Sequence, residues 1–130
     1  MVNNKGNYVD GFVLLVPKKN LIAYRKMAEE AGKFWIRCGA LEYKECIGDD
    51  MKSVSMAGQK SLTFTKLAKA DKKEAVWFSF ITYKSRAHRD QVNKKVNAEM
   101  KKHAKENKDI KMPFDMRKMA YGGFRVEVTL

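Results

Sequence analysis

The sequence predicts an α+β fold of ferredoxin-like βαββαβ order, an antiparallel sheet with two helices on one face. Two observations predict it. An apolar run, Tyr8–Val16, leads through Pro17–Lys18–Lys19–Asn20 into a helical periodicity, and a second run, Ala75–Tyr83, leads through Lys84–Ser85–Arg86 into another. Each helical stretch is then followed by one more strand-like segment, which makes two β-α-β units in tandem.

The first strand covers Val9–Val16. Val9, Val13 and Leu15 fall on one face, and Phe12, Leu14 and Val16 on the other. A strand apolar on both faces needs cover on both. A helix follows over residues 20–38. Leu21, Tyr24, Ala28, Ala31, Trp35 and Cys38 recur at three- and four-residue steps along one stripe, and Arg25, Lys26, Glu29, Glu30 and Lys33 occupy the rest. Gly39 suits the left-handed position that ends a helix. The second strand is Ala40–Ile47, with Leu41, Tyr43 and Ile47 on one side, Glu45 sharing that side, and Glu42, Lys44 and Cys46 opposite.

Residues 48–74 form a connection of 27 residues, long for a hairpin and of the kind that serves as a lid or an interface arm. It opens on a Gly48–Asp49–Asp50 turn signal. Leu62–Thr63–Phe64–Thr65 reads as a short β segment and Asp71–Lys72–Lys73 as a turn. The third strand is Ala75–Tyr83, and Ser85 suits the N-cap of a helix that carries His88, Val92, Val96 and Met100 at four-residue steps. After Met100 the pattern fades into lysine-rich sequence. Met112–Pro113–Phe114–Asp115 then breaks the chain before a last strand near Met119–Val128, where Gly122–Gly123 predicts a bulge or bend. No linker divides the sequence, so residues 1–130 read as a single domain.

The composition, 45% hydrophobic and 32% charged, argues for a folded chain and against disorder. No apolar stretch approaches the ~20 residues of a membrane helix. Met1–Asn7 carries no apolar segment of the secretory kind. Cys38 and Cys46 make no metal spacing with His88 and His103, and no haem or other cofactor pattern is present. The expectation is a cytoplasmic, thiol-reduced protein with no metal and no cofactor. The net charge is +12, and the segment Lys94–Lys111 holds seven lysines against Glu99, Glu106 and Asp109. With lysine dominant and no aromatics interleaved, that segment reads as a solvated helix face.

His88 and Glu45 are the candidate catalytic groups. His88 lies on the stripe with Val92 and Val96, near Arg86, Arg89 and Asp90, and a histidine beside a carboxylate can shuttle protons. Its structural alternative packs on the sheet and hydrogen-bonds a strand end. Glu45 stands on an apolar strand face, which suits acid–base work, with pairing to Arg117 or Arg125 as the structural alternative. Asp10 has the same ambiguity. Trp35, Tyr43, Trp77, Tyr83, Phe114 and Tyr121 are candidate pocket-lining aromatics, and equally candidates for core. Arg86 and Arg117 are candidate anchors for an oxygen anion. The Met112–Asp115 loop either caps a pocket or anchors the connection to the sheet.

Six segments carry a resemblance. They are Tyr8–Phe12 with Val16–Asn20, Gly39–Tyr43, Tyr83–Asp90, Met112–Asp115 and Tyr121–Phe124. In this order they resemble the YbaA-like proteins, an uncharacterised bacterial family of the dimeric α/β-barrel superfamily. Lys52–Ala70 and the lysine-rich stretch after Met100 depart from the pattern. The resemblance implies a homodimer that pairs sheets face to face, which fits a first strand apolar on both sides. By superfamily analogy it implies a cofactor-independent oxygenase- or isomerase-like protein acting on a small apolar or aromatic metabolite between sheet and helices. The alternative is a non-catalytic structural or interaction module. RNA binding is the least favoured reading. The aromatic third strand and the charge fit it, but Lys73–Glu74–Ala75–Val76 stands where a glycine and a basic residue would precede the aromatics.

Overall fold

The structure, a computed structural model, describes residues 6–104 and 111–130. Two tandem units build it. Strand β1 (Tyr8–Pro17) runs through a 3-10 turn (Lys18–Asn20) into helix α1 (Leu21–Arg37) and strand β2 (Glu42–Ile47). Strand β5 (Glu74–Tyr83) runs into helix α3 (Arg86–His103) and strand β6 (Ala120–Arg125). Between the units lie a short hairpin, β3 (Ser55–Met56) and β4 (Gln59–Lys60), and a one-turn helix, α2 (Phe64–Leu67). The four long strands form one antiparallel sheet in the order β2-β5-β1-β6. Among the described residues, no helix is long and apolar enough to cross a membrane.

Alternation along the strands gives the sheet two unlike faces. The inner face presents Tyr8, Asp10, Phe12, Leu14 and Val16 beside Trp77, Ser79, Ile81 and Tyr83, as the β1–β5 register requires. Tyr24 and Ala28 of α1 pack with Leu14, Val16 and Trp77, and Val92 and Val96 of α3 pack with Tyr8, Ile81 and Tyr83. The outer face presents Val9, Val13 and Leu15 beside Val76, Phe78 and Phe80. The insertion covers one part of it, with the Phe64 ring 6.4 Å from that of Phe78. Phe78 and Phe124 still stand 45% and 61% exposed there, so the second face of β1 is only partly covered within the chain.

Local signals explain the element ends. Gly39, at φ +118°, turns the chain out of α1 while Ala40 N–H bonds the Trp35 carbonyl at 3.1 Å. Ser85 caps α3 by accepting from His88 N–H at 3.0 Å, and the Asp71 carboxylate accepts from Lys73 N–H at 2.7 Å in the predicted turn.

Two expectations need correction. Leu62–Thr65 is not a strand, because the Thr63 hydroxyl accepts from Lys66 N–H at 3.1 Å and starts the α2 turn instead. Gly122–Gly123 makes no bulge, for the pairing Gly11↔Gly122 and Asp10↔Gly123 runs unbroken. A side chain at Gly123 would collide with the Tyr8 hydroxyl and meet Arg89 Nη2 at 3.1 Å, so the glycine leaves room for that contact. Of the basic stretch Lys94–Lys111, residues 105–110 lie outside the described residues, as do residues 1–5 of the N-terminal stretch.

Candidate functional site

Glu45 lies on the inner face of β2, directly across from Ser79 of β5. Its carboxylate collects three hydroxyl donors. Tyr24 of α1 donates to Oε1 at 2.8 Å, Tyr43 donates to Oε2 at 2.6 Å, and Ser79 donates to Oε1. Among the described residues no arginine pairs with Glu45: Arg117 chelates Asp115 at 3.1 Å and Arg125 binds Glu127 at 3.1 Å. Burial first, and Glu45 after it, push the Tyr24 and Tyr43 phenols far above the ordinary tyrosine value. Both tyrosines therefore stay protonated and act as donors that hold Glu45 in place.

Glu45 forms part of the wall of a 200 Å³ cavity between α1, the sheet and the segment 114–119. Apart from the Glu45 cluster, the lining is apolar, including Phe12, Trp35, Phe114, Met116 and Met119. In the Met112–Asp115 loop Phe114 lines the cavity, and the Pro113 carbonyl accepts from Asn20 Nδ2, in the turn before α1, at 3.1 Å. A second, larger cleft of 790 Å³ adjoins the cavity and shares Ala28, Tyr43 and Glu45 with it. Trp77 lines this cleft and meets the Tyr24 ring edge-on at 4.8 Å.

The remaining candidates are placed elsewhere. His88 lines neither space. Its Nδ1 accepts from Lys84 N–H at 2.9 Å, and its ring stacks edge-on against Tyr83 at 5.9 Å. Tyr83 is buried, and its hydroxyl reaches the Asn93 carbonyl oxygen at 3.5 Å, which also accepts from Trp35 Nε1 at 3.4 Å. Arg86 lies on a separate surface depression with Tyr8, Phe124 and Arg125. Arg117 is exposed.

Tyr121 belongs to a second polar cluster on the inner face. Its hydroxyl donates to Asp10 at 3.1 Å and accepts from Arg89 Nη1 at 2.9 Å, while Arg89 Nη2 reaches the Tyr8 hydroxyl at 3.0 Å. Asp10 is 1% exposed, and burial raises its carboxyl above the usual value against the opposing pull of Arg89. The cluster ties α3 to β1 and β6. Sequence reasoning did not join Arg89 to Asp10, nor Tyr24 and Ser79 to Glu45. The side-sharing of Glu45 with Tyr43 was the one signal available.

Sheet, cavity and carboxyl cluster define a small α+β protein with an apolar pocket carrying one acidic group. The chain belongs to the family described as protein of unknown function (DUF1428), which matches residues 7–116. It is 39% identical over 119 residues to the uncharacterized protein YbaA of Escherichia coli K12, covering 90% of this chain and 93% of that protein. The protein of the same name in Shigella flexneri matches to the same 39% over 119 residues, with the same 90% and 93% coverage.

Proposed function

We propose that this chain binds, and acts on, a small, mainly apolar single-ring molecule bearing a hydroxyl group, in the cavity between sheet and α1. The observation that carries the proposal is the Glu45 carboxylate, fixed by three hydroxyl donors on an otherwise apolar wall. Size supports a single ring, since 200 Å³ exceeds the ~150 Å³ that admits benzene. Tyr24, Tyr43 and Ser79 all donate to Glu45, so its carboxylate is the acceptor on that wall that a ligand hydroxyl would meet and pass a proton to. Reactions that begin with such a transfer, isomerisation and cofactor-independent oxygenation among them, are the chemistry this wall favours.

The proposal extends to assembly. The chain is a single cytoplasmic domain with ferredoxin-like topology, and two copies pair through their outer sheet faces as in the dimeric α/β barrels. The strand order β2-β5-β1-β6 with α1 and α3 packed on one face supports the topology. The exposed Phe78 and Phe124 support the pairing.

Both tryptophans border the cavity or the cleft, so intrinsic fluorescence reports binding. The wild type is expected to bind o-cresol saturably, about tenfold tighter than 2-methylanisole, which has no hydroxyl hydrogen. Glu45→Gln is expected to remove about that factor, the difference between a charged and a neutral acceptor. Equal binding of the two probes, or an unchanged Glu45→Gln, would contradict the proposal.

A further inference from the structure

The cleft beside the cavity carries two features that Glu45 does not explain. Trp77 is 4% exposed and lines the cleft, and its indole Nε1 has no hydrogen-bond partner among the described residues. A buried donor without an acceptor is costly; Nε1 is itself sealed from solvent, so a ligand oxygen meets it when the cleft wall shifts to admit the ligand. Arg25 lines the same cleft and is held in no ion pair among the described residues. Arg25 follows Tyr24, whose ring meets Trp77, so along α1 it stands nearer the level of Trp77 than Arg37 does. The other cations of the cleft are engaged elsewhere. Lys33 pairs with Glu29 at 3.5 Å, and the Arg37 guanidinium lies over the Phe34 ring at 5.5 Å. Twelve residues of helix separate Arg25 from Arg37, about 18 Å at ~1.5 Å per residue.

Register places the two polar positions close together. Glu45 and Ile47 are two residues apart on one face of β2, and Ile47 pairs with Trp77. That spacing is about 7 Å. We infer that the ligand carries an anionic oxygen group, of the carboxylate kind, beside its hydroxyl, and that Trp77 Nε1 and Arg25 bind it. The inference rests on the binding site proposed above and names the ligand class of that site: a hydroxylated ring acid. The ring enters the cavity, the hydroxyl meets Glu45 on the shared wall, and the acid turns into the cleft. A guanidinium and a neutral indole N–H together receive a carboxylate with one charge and two directed donors.

The test compares 2-hydroxyphenylacetate with 2-hydroxyphenylacetamide, its neutral isostere, by calorimetry at low salt, with o-cresol as the reference. The acid is expected to bind at least tenfold tighter than the amide, with an advantage that shrinks as salt is added. Arg25→Gln is expected to erase that advantage and leave o-cresol unchanged, while Arg37→Gln leaves all three unchanged. Trp77→Phe is expected to weaken the acid more than o-cresol. If the amide binds as tightly as the acid while o-cresol still depends on Glu45, the anion site is overturned and the cavity stands. If none of the three binds, both the cavity and the anion site are overturned.

Discussion

Arg89→Met removes the cation that faces Asp10 and leaves a buried acid behind. The two side chains are 15% and 2% exposed, and their nearest charged atoms are 3.8 Å apart. The Tyr121 hydroxyl bridges them, accepting from Arg89 and donating to Asp10. Breaking a buried pair from one side costs about 3–5 kcal/mol. Tyr121 still donates to Asp10 in the variant, so the low end, about 3 kcal/mol, is the expected loss. For a chain of this length that lowers the melting temperature by roughly 10 °C. The pH dependence has a definite sign. Burial raises the folded-state carboxyl of Asp10 above its ordinary value and Arg89 opposes the rise. The folded state therefore holds this proton more tightly than the unfolded state. Stability declines as pH climbs from that value through the raised one. Without Arg89 the carboxyl rises further, so the deficit of the variant is largest at neutral pH and shrinks in acid. Urea unfolding followed by circular dichroism at about pH 5 and about pH 8 measures this. A loss under about 1 kcal/mol, or one equal at both pH values, would refute the reasoning.

Three further outcomes are expected. Gly32→Ala gains about 1 kcal/mol of helix propensity, but its new Cβ would stand 2.6 Å from Tyr43 Cδ1. The ring must leave Glu45, so a thermal melt should show a net loss and o-cresol should bind more weakly; a more stable variant with unchanged binding would contradict this. Ser85→Ala removes the cap of α3 and should lower stability by about 1 kcal/mol in urea unfolding, against no change if the cap is idle. Phe78→Glu places a charge on the outer sheet face. Light scattering should show a wild type near twice the 15.0 kDa chain mass and a monomeric variant, and two identical masses would exclude pairing through this face.

The elements were legible in the sequence because their signals are local. The two apolar runs, the α1 stripe and the Ser85 cap each depend on neighbours within one or two turns. Leu62–Thr65 misled for the same reason: its β-favouring composition is a weak preference, and one hydroxyl at Thr63 outweighs it. Gly122–Gly123 reads as a break until Tyr8 and Arg89, far away in sequence, occupy the space beside it. The site was legible in part. Glu45, Tyr43 and Trp35 could be placed on inward faces by period, Phe114 only as part of a loop near the sheet, and the four meet at one cavity. Tyr24 and Ser79 join Glu45 only through the β2–β5 register and the seating of α1, which no local pattern encodes. His88 shows the converse: its charged neighbourhood is a helix start, where its ring accepts from the Lys84 amide.

The most direct test of the Glu45 cavity is a crystal structure grown with 2-bromophenol, with the bromine located by its anomalous signal. The proposal predicts bromine between Trp35 and Phe114 and the phenol oxygen within hydrogen-bond distance of Glu45. Bromine found only on the outer surface, with the cavity filled by the chain's own side chains, would contradict it.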